Sequence, residues 1–373
     1  MENIHRRYDI DWLRVIAIGL LLIYHVAIVF QPWGIMIGFI TSKKPWAALW
    51  APMALLNVWR IPLLFFVSGM GVYLAMRQRT WKQLILERSR RILIPYLFGI
   101  VAVVPLASLI WRYYNHFEPR YDMSPGHLWF LGNIFVYVVL LAPLFYYLKK
   151  NEGGVAARGI RWLLGAPWGL LVVMLVSIAE AMLVRPVPYE LYAMTWHGFY
   201  LGLLAFFFGY CFMYSGEPFW RMMLTWRWAF LFVSTSLYVI RLFYFELRAP
   251  LYLVAIESDC WVFAVLGFGH RYLKRPSCAL SYLSEAVYPI YIVHIAVMFL
   301  VSWLVCSWDM AVQLQFVLVL VFTGSGCLIL YEIVKRVGVL RVFFGIKKKS
   351  TVHGRRSTAN AGEFKIQDSE FKI

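Results

Sequence analysis

The stretch that decides the fold runs from Asp9 to Phe30 and reads DIDWLRVIAIGLLLIYHVAIVF. Its apolar part is long enough for a membrane-spanning helix, which takes about 20 residues. The same stretch contains Arg14 near its start and His25 well inside. Because ionisable groups are costly in hydrocarbon, they indicate a polar site or a pathway within the membrane.

Composition extends the membrane interpretation to the whole chain. Hydrophobic residues make up 62% of the 373 residues and charged residues 15%, whereas a soluble domain has about 25% charged residues. The sequence therefore predicts an all-α, polytopic membrane helix bundle over residues 1–346. The polar, basic segment 347–373 has no apolar pattern and is predicted to be a disordered cytoplasmic tail.

Ten stretches are long and apolar enough to be predicted as transmembrane helices. Their limits are Asp11–Phe30, Trp50–Met76, Ile92–Trp111, Leu128–Leu148, Leu163–Val184, Gly198–Tyr214, Trp228–Phe245, Pro250–His270, Leu283–Cys306 and Val312–Val334. The segment Val337–Ile346 is too short to span and is expected at the membrane interface.

Charge between the spans predicts the orientation. With the N-terminus inside, 27 of the 36 Lys and Arg residues fall on the cytoplasmic side and 6 on the outside. Positive residues accumulate on the cytoplasmic side of membrane proteins, so both termini are predicted to be cytoplasmic. The net charge of +17 then fits anionic lipid headgroups, and no nucleic-acid motif accompanies it.

Arg14 and His25 are expected on one face of the first helix. Eleven residues at 100° each bring them about 20° past three full turns, with a rise of about 16 Å. Asp11 lies one turn before Arg14 and is predicted to pair with it. Taken alone, Arg14 is explained as an arginine that snorkels to the membrane surface, and His25 as a histidine that bonds to a neighbouring helix. Together they favour a polar cavity, with His25 as a general base and Arg14 as an anion ligand.

Five stretches resemble the membrane acyltransferase 3 family. They are RVIAIGLLLIYH (Arg14–His25), RIPLLFFVSGMGVYL (Arg60–Leu74), ERSRRILIPY (Glu87–Tyr96), GHLWFLGNIFVY (Gly126–Tyr137) and YLSEAVYPIYIVH (Tyr282–His294). The resemblance implies an integral membrane O-acyltransferase of the inner membrane. Its members move an acyl group, usually acetyl, onto cell-surface glycans, and relatives that act on periplasmic glucans use succinyl. It also implies acyl-CoA as the co-substrate and assigns the catalytic roles to His25 and Arg14.

Further residues are candidates for binding the two substrates. Arg14, Arg90 and Arg91 are expected to bind the phosphates of coenzyme A, although membrane topology alone explains a basic loop. The predicted substrate-binding residues are Asp11, Arg60, Ser68, His127, Trp129, Tyr288, Tyr291 and His294. Helix packing, interfacial anchoring and tyrosines packed in a bundle are the simpler explanations for Ser68, Trp129 and the two tyrosines.

Other functions remain open at this point. A transporter or flippase for a sugar or lipid-linked intermediate also places charged residues within spans, and a non-catalytic partner of a polysaccharide synthase is a third possibility.

The scattered histidines lack metal-ligand spacing, so no metal site is predicted. Glu180, Glu257, Asp259 and Glu332 lie in or near spans, and each requires a partner.

Overall fold

The computed structural model describes residues 6–346, and in that range ten helices are long and apolar enough to cross a membrane. The predicted all-α membrane bundle is confirmed. In chain order the helices are α1 (Tyr8–Val29), α2 (Trp50–Met76), α3 (Trp81–Arg88), α4 (Ile94–Phe98), α5 (Val104–Tyr114), α6 (Trp129–Lys150), α7 (Val155–Leu164), α8 (Pro167–Val184), α9 (Trp196–Ser215), α10 (Glu217–Phe243), α11 (Leu251–Tyr272), α12 (Cys278–Val305), α13 (Val312–Arg336) and α14 (Gly338–Phe343). The predicted tail, residues 347–373, lies outside the described residues.

The third span is one continuous helix from Trp81 to Tyr114. Two π-helical turns, Ser89–Leu93 and Gly99–Val103, join α3, α4 and α5. The predicted start at Ile92 was wrong, because the polar turns before it are also helical. Thr80 and Gln83 begin that helix with reciprocal side-chain bonds to each other's backbone N–H groups, an arrangement that satisfies N–H groups left open at a helix start.

Two other predicted spans had wrong starting points. Helix α10 begins at Glu217, eleven residues before the predicted Trp228. The prediction started too late because the charged residues in the first turns of α10 lower the local hydropathy. The predicted span Leu163–Val184 is divided between the short α7 and the spanning α8, which begins at Pro167. The short segment predicted over Val337–Ile346 contains the six-residue α14.

Helices α2 and α9 approach each other at two glycines. A Cβ atom on Gly69 would lie 1.9 Å from the carbonyl oxygen of Phe206, and one on Gly209 would lie 2.1 Å from that of Phe66. No side chain fits at either position, so the two backbones touch as small residues allow in membrane bundles. This contact fixes α2, which carries several of the candidate site residues.

A proline inside α2 creates an unusual requirement. Pro62 has no N–H, so the carbonyl oxygen of Val58 loses the hydrogen bond that a helix would give it. Two hydroxyl groups replace that bond: Tyr192 Oη donates over 2.8 Å and Ser258 Oγ over 2.9 Å. The loop between α8 and α9 therefore lies against α2.

We call the two ends of the bundle basic and distal. The basic end contains the start of α1 and the end of α2, where Lys149 Nζ donates to the carbonyl oxygen of Met76 over 2.8 Å. The distal end contains the end of α1, the start of α2 and the α8–α9 loop. Helix α1 runs between these ends and packs against α2, α11, α12 and α13, so its polar residues face other helices.

Candidate functional site

Helix α1 presents Arg14 toward α2. A Cβ atom at Gly71 would lie 3.0 Å from Arg14 Nη2, so the missing side chain of Gly71 makes room for the guanidinium group. Arg14 also lies 3.8 Å from Asp11, and its side chain is 37% exposed. The predicted pairing with Asp11 is present, but Asp11 makes a shorter contact of 2.8 Å with Arg6.

Arg14 is part of a cluster of three arginines at the basic end. Arg88 and Arg91, at the first π-helical turn of the third span, lie within electrostatic range of it. The Nε atom of Arg88 is buried without a hydrogen-bond partner, and so is the hydroxyl of Tyr288 beside this cluster. Positive groups with unused donors are what an anionic ligand such as phosphate requires.

The sequence predicted Arg90 and Arg91 for this role and missed Arg88. Arg90 is exposed, and no described contact joins it to Arg14. Arg91 is half exposed and bonds to Glu87 over 3.4 Å. Arg88 lies three residues before Arg91 in the sequence, but the π-helical turn Ser89–Leu93 lies between them, so α-helical spacing alone does not show that the two share a face.

Three histidines meet near the distal end of α1. His25 Nδ1 lies 2.9 Å from His294 Nε2, and the two rings are nearly parallel and meet edge to edge, with centroids 5.1 Å apart. The ring of His127 stands perpendicular to that of His294 at 5.0 Å. The bundle therefore brings together residues from the first and ninth predicted spans and from the position just before the fourth.

Backbone carbonyl groups hold two of these histidines. His294 Nδ1 lies 2.7 Å from the carbonyl oxygen of Tyr291, and His127 Nε2 lies 2.9 Å from that of Ile292. The Tyr291 hydroxyl in turn donates to the backbone oxygen of His127. His127 can reach α12 because Gly126 turns the chain with φ at +46°, a conformation that glycine adopts readily.

Arg60 lies beside this histidine cluster and is only 2% exposed. Its guanidinium carbon sits 3.9 Å above the ring centroid of Tyr24, and its charge interacts with His25 and His294. In the described part of the chain it makes one hydrogen bond, from Nη2 to Asn57 Oδ1, which is long at 3.4 Å, and Nε and Nη1 have no hydrogen-bond partner there. Within residues 6–346, no carboxylate makes an ion pair with Arg60.

The other predicted substrate residues have local partners. The Ser68 hydroxyl donates to the carbonyl oxygen of Leu64, in its own helix, over 2.7 Å. The Trp129 ring packs 6.1 Å from that of Phe65, within an aromatic group that extends through Phe130 to Tyr291. Neither residue contacts the three histidines among the described contacts, and both remain predictions.

The segment between α1 and α2 covers the distal side of His25. Phe39 packs against the His25 ring with centroids 5.7 Å apart, and Trp111 Nε1 donates to the Phe39 carbonyl oxygen over 3.2 Å. Lys44 pairs with Asp309 at 2.6 Å, which lowers the pKa of that carboxyl. The segment is therefore attached to both α5 and the α12–α13 loop.

Most of the other intramembrane carboxylates have partners that explain them. Glu180 bonds to His197 at 2.9 Å, and Glu332 lies 3.6 Å from Lys335. Glu257 forms two bonds with Arg241, of 2.7 and 3.0 Å. Asp259 has a side-chain hydrogen bond with Ser177, but its Oδ2 is buried without a hydrogen-bond partner among residues 6–346.

Comparison with known proteins gives one match. Residues 7–332 match the model of the acyltransferase 3 family, described as an acyltransferase domain. No curated protein and no solved structure matches. The family match covers the first nine candidate membrane helices completely and the tenth as far as residue 332. It includes all of the predicted site residues.

Proposed function

This chain belongs to the acyltransferase 3 family, and on that premise we propose that it moves an acyl group from cytoplasmic acyl-CoA to a hydroxyl group of a cell-surface or periplasmic glycan. Acetyl is the expected acyl group. The observation that carries the proposal is that the two ends of α1 contribute to two different polar clusters. Arg14 joins an arginine cluster at the basic end, and His25 joins a histidine cluster about 16 Å away along the helix.

The arginine cluster is the proposed site for the phosphates of coenzyme A. Arg14, Arg88 and Arg91 bring three positive charges to one place, and Arg88 Nε has no hydrogen-bond partner among residues 6–346. The excess of Lys and Arg at this end favours a cytoplasmic location for it. An inner-membrane enzyme in this orientation receives its donor from the cytoplasm.

The flexible arm of coenzyme A would extend from the arginine cluster toward the histidines. Both Arg14 and His25 retain accessible surface, and Tyr288, on α12, lies beside the arginines. The rise of about 16 Å between Arg14 and His25 is within reach of that arm. The thioester would then lie next to His25 and Arg60.

The chemistry follows from these positions. His25 takes the proton from the sugar hydroxyl as the oxygen attacks the thioester carbonyl carbon. The C–O bond forms, and negative charge develops on the carbonyl oxygen, where the unused N–H groups of Arg60 would stabilise it. The C–S bond then breaks, and the protonated His25 gives its proton to the departing thiolate. The products are the acylated glycan and free coenzyme A.

Label transfer tests the proposal directly. Purified protein in lipid nanodiscs is incubated with radiolabelled acetyl-CoA and candidate glycans, and both label transfer and thiol release are followed. We expect transfer by the wild-type protein and none above background by His25→Ala. His116→Asn, at an exposed histidine, serves as the matched control and should keep full activity.

Two outcomes would contradict the proposal. Acyl transfer by a folded His25→Ala protein would remove His25 from the chemistry. Movement of a labelled glycan across the membrane without thiol release would favour the transporter function instead. Size-exclusion chromatography of each variant shows whether it is folded.

A further inference from the structure

The contacts of His294 determine which of its ring nitrogens carries the proton. Its Nδ1 lies 2.7 Å from the carbonyl oxygen of Tyr291. A carbonyl oxygen only accepts hydrogen bonds, so Nδ1 must be the donor and must carry a hydrogen. A neutral imidazole has one N–H, which leaves His294 Nε2 with a free lone pair.

The surroundings of His294 favour the neutral ring. The residue is 1% exposed, and its charge interactions are with His127 and the positively charged Arg60. No described carboxylate bonds to His25, His127 or His294. A buried imidazolium in this setting would have no counter-charge and would be strongly disfavoured.

The protonation of His294 determines which nitrogen of His25 carries the hydrogen. The contact of 2.9 Å between His25 Nδ1 and His294 Nε2 needs one donor and one acceptor. Since His294 Nε2 is the acceptor, His25 Nδ1 is the donor and carries the hydrogen. His25 Nε2 is consequently unprotonated and free to accept a proton.

We infer that His294 is a positioning residue that holds His25 in the Nδ1–H tautomer and so makes Nε2 the atom that receives the substrate proton. The chain of bonds starts at the Tyr291 carbonyl group, one helical turn before His294 on α12, and ends at the reacting nitrogen. This inference rests on the proposed function for its role in catalysis. The tautomer itself follows from the hydrogen-bond geometry and from the neutral state of His294, without reference to catalysis.

The arrangement differs from a pair in which a carboxylate orients the histidine. When His25 Nε2 takes a proton, the Nδ1–H bond to His294 becomes charge-assisted and stronger. A neutral imidazole, however, supplies no full negative charge to the imidazolium. The protonated His25 is therefore short-lived, which suits rapid delivery of the same proton to the thiolate.

Nitrogen NMR tests the tautomer without requiring activity. The protein is labelled with ¹⁵N-histidine in nanodiscs, and the His25 signals are identified by their loss in His25→Asn. We expect the wild-type spectrum to show a protonated Nδ1 and an unprotonated Nε2 for His25. A protonated Nε2 on His25 would overturn the inference, whatever the protein catalyses.

Two substitutions test the positioning role. In His294→Gln the carboxamide oxygen still accepts from His25 Nδ1, so the tautomer should persist and kcat should fall less than about tenfold. His294→Leu offers no acceptor, and we expect mixed tautomers and a kcat lower by about 10²–10⁴, because a histidine held in the wrong tautomer loses up to about 10⁴. KM for the acyl donor should stay the same in both.

Retention of wild-type kcat in His294→Leu would overturn the inference, and so would equal losses in the two variants. If His294→Leu does not fold, the wild-type spectrum and His294→Gln still decide the matter. If the wild-type protein transfers no acyl group but has the assigned tautomer, only the proposed function fails.

Discussion

Two buried arginines at the distal end of the bundle have opposite surroundings. Arg241 is 1% exposed and forms two bonds with Glu257, one with Glu190 and one with the carbonyl oxygen of Ala54. Arg60 is 2% exposed, yet among the described residues its polar contacts are limited to a long hydrogen bond with Asn57 and the ring face of Tyr24. Both arginines are buried charges, but within residues 6–346 carboxylates balance the charge of Arg241 and not that of Arg60.

The difference indicates a structural role for Arg241 and fits the catalytic role proposed for Arg60. Arg241 ties the α8–α9 loop to α2 and α11, and burial raises the pKa of the loop carboxyl Glu190 that it holds. Arg60 lies next to the histidine cluster with two unused nitrogens. An unbalanced buried cation is unfavourable unless a ligand supplies the missing charge, so Arg60 is the residue to expect at a reaction centre.

The largest effect is expected from removing Arg241. Arg241→Met leaves Glu257 buried without its partner, and breaking a buried ion pair in this way lowers the free energy of unfolding by about 3–5 kcal/mol. Denaturant titration of the protein in detergent measures the loss. The double variant Arg241→Met with Glu257→Leu should recover much of it. A stable single variant would show that the network does not hold the fold together.

Removing Arg60 should act on the reaction and leave the fold intact. Arg60→Met takes away an unbalanced charge, so the free energy of unfolding should stay the same or rise. Loss of one group that stabilises a developing oxyanion lowers kcat by about 10²–10³, and a label-transfer assay measures this. Severe unfolding of Arg60→Met with normal kcat in the folded fraction would contradict this prediction, because Arg60 would then have a structural role like that of Arg241.

The arginine cluster allows the same contrast at the basic end. Arg88→Gln removes a partly buried charge with an unused donor, and KM for acyl-CoA should rise about tenfold or more, since a hydrogen bond to a charged group contributes about 1.5–3 kcal/mol. Arg90→Gln is the matched control and should leave KM unchanged, because Arg90 is exposed. Equal effects of the two substitutions would mean that only the overall charge of the loop matters.

The smallest effect is expected at Gly71. In Gly71→Ala the new Cβ would lie 3.0 Å from Arg14 Nη2, so the flexible guanidinium must move by a few tenths of an ångström. We expect KM for the donor to rise by less than about tenfold, with kcat and stability unchanged. Gly159→Ala, where a Cβ meets nothing within 4 Å, is the control. No change in KM would place the donor away from this face of α2.

Sequence patterns predicted much of the fold because hydropathy and helical period are local properties. The ten spans and the pairing of Arg14 with Asp11 come from such patterns. The early start of α10 at Glu217 was missed for the same reason, since charged residues at its beginning belong to the helix but not to the apolar stretch.

The candidate site could be predicted only in part. His25, His127 and His294 were each identified, but their contact depends on how three distant segments pack. Arg88 was missed because a π-helical turn changes which residues share a face, and a sequence does not display that turn. The missing counter-ion of Arg60 is likewise a tertiary property, since it depends on Glu190 and Glu257 bonding to Arg241 instead.

The proline in α2 has a consequence for how this protein can diverge. Pro62 leaves the Val58 carbonyl oxygen in need of donors, and Tyr192 and Ser258 supply them. In a homologue with a residue bearing an N–H at position 62, that oxygen would be satisfied within its own helix, and neither hydroxyl group would be needed as a donor to it. We therefore expect these three positions to change together across related chains, as a linked substitution group spanning one helix, one loop and a second helix.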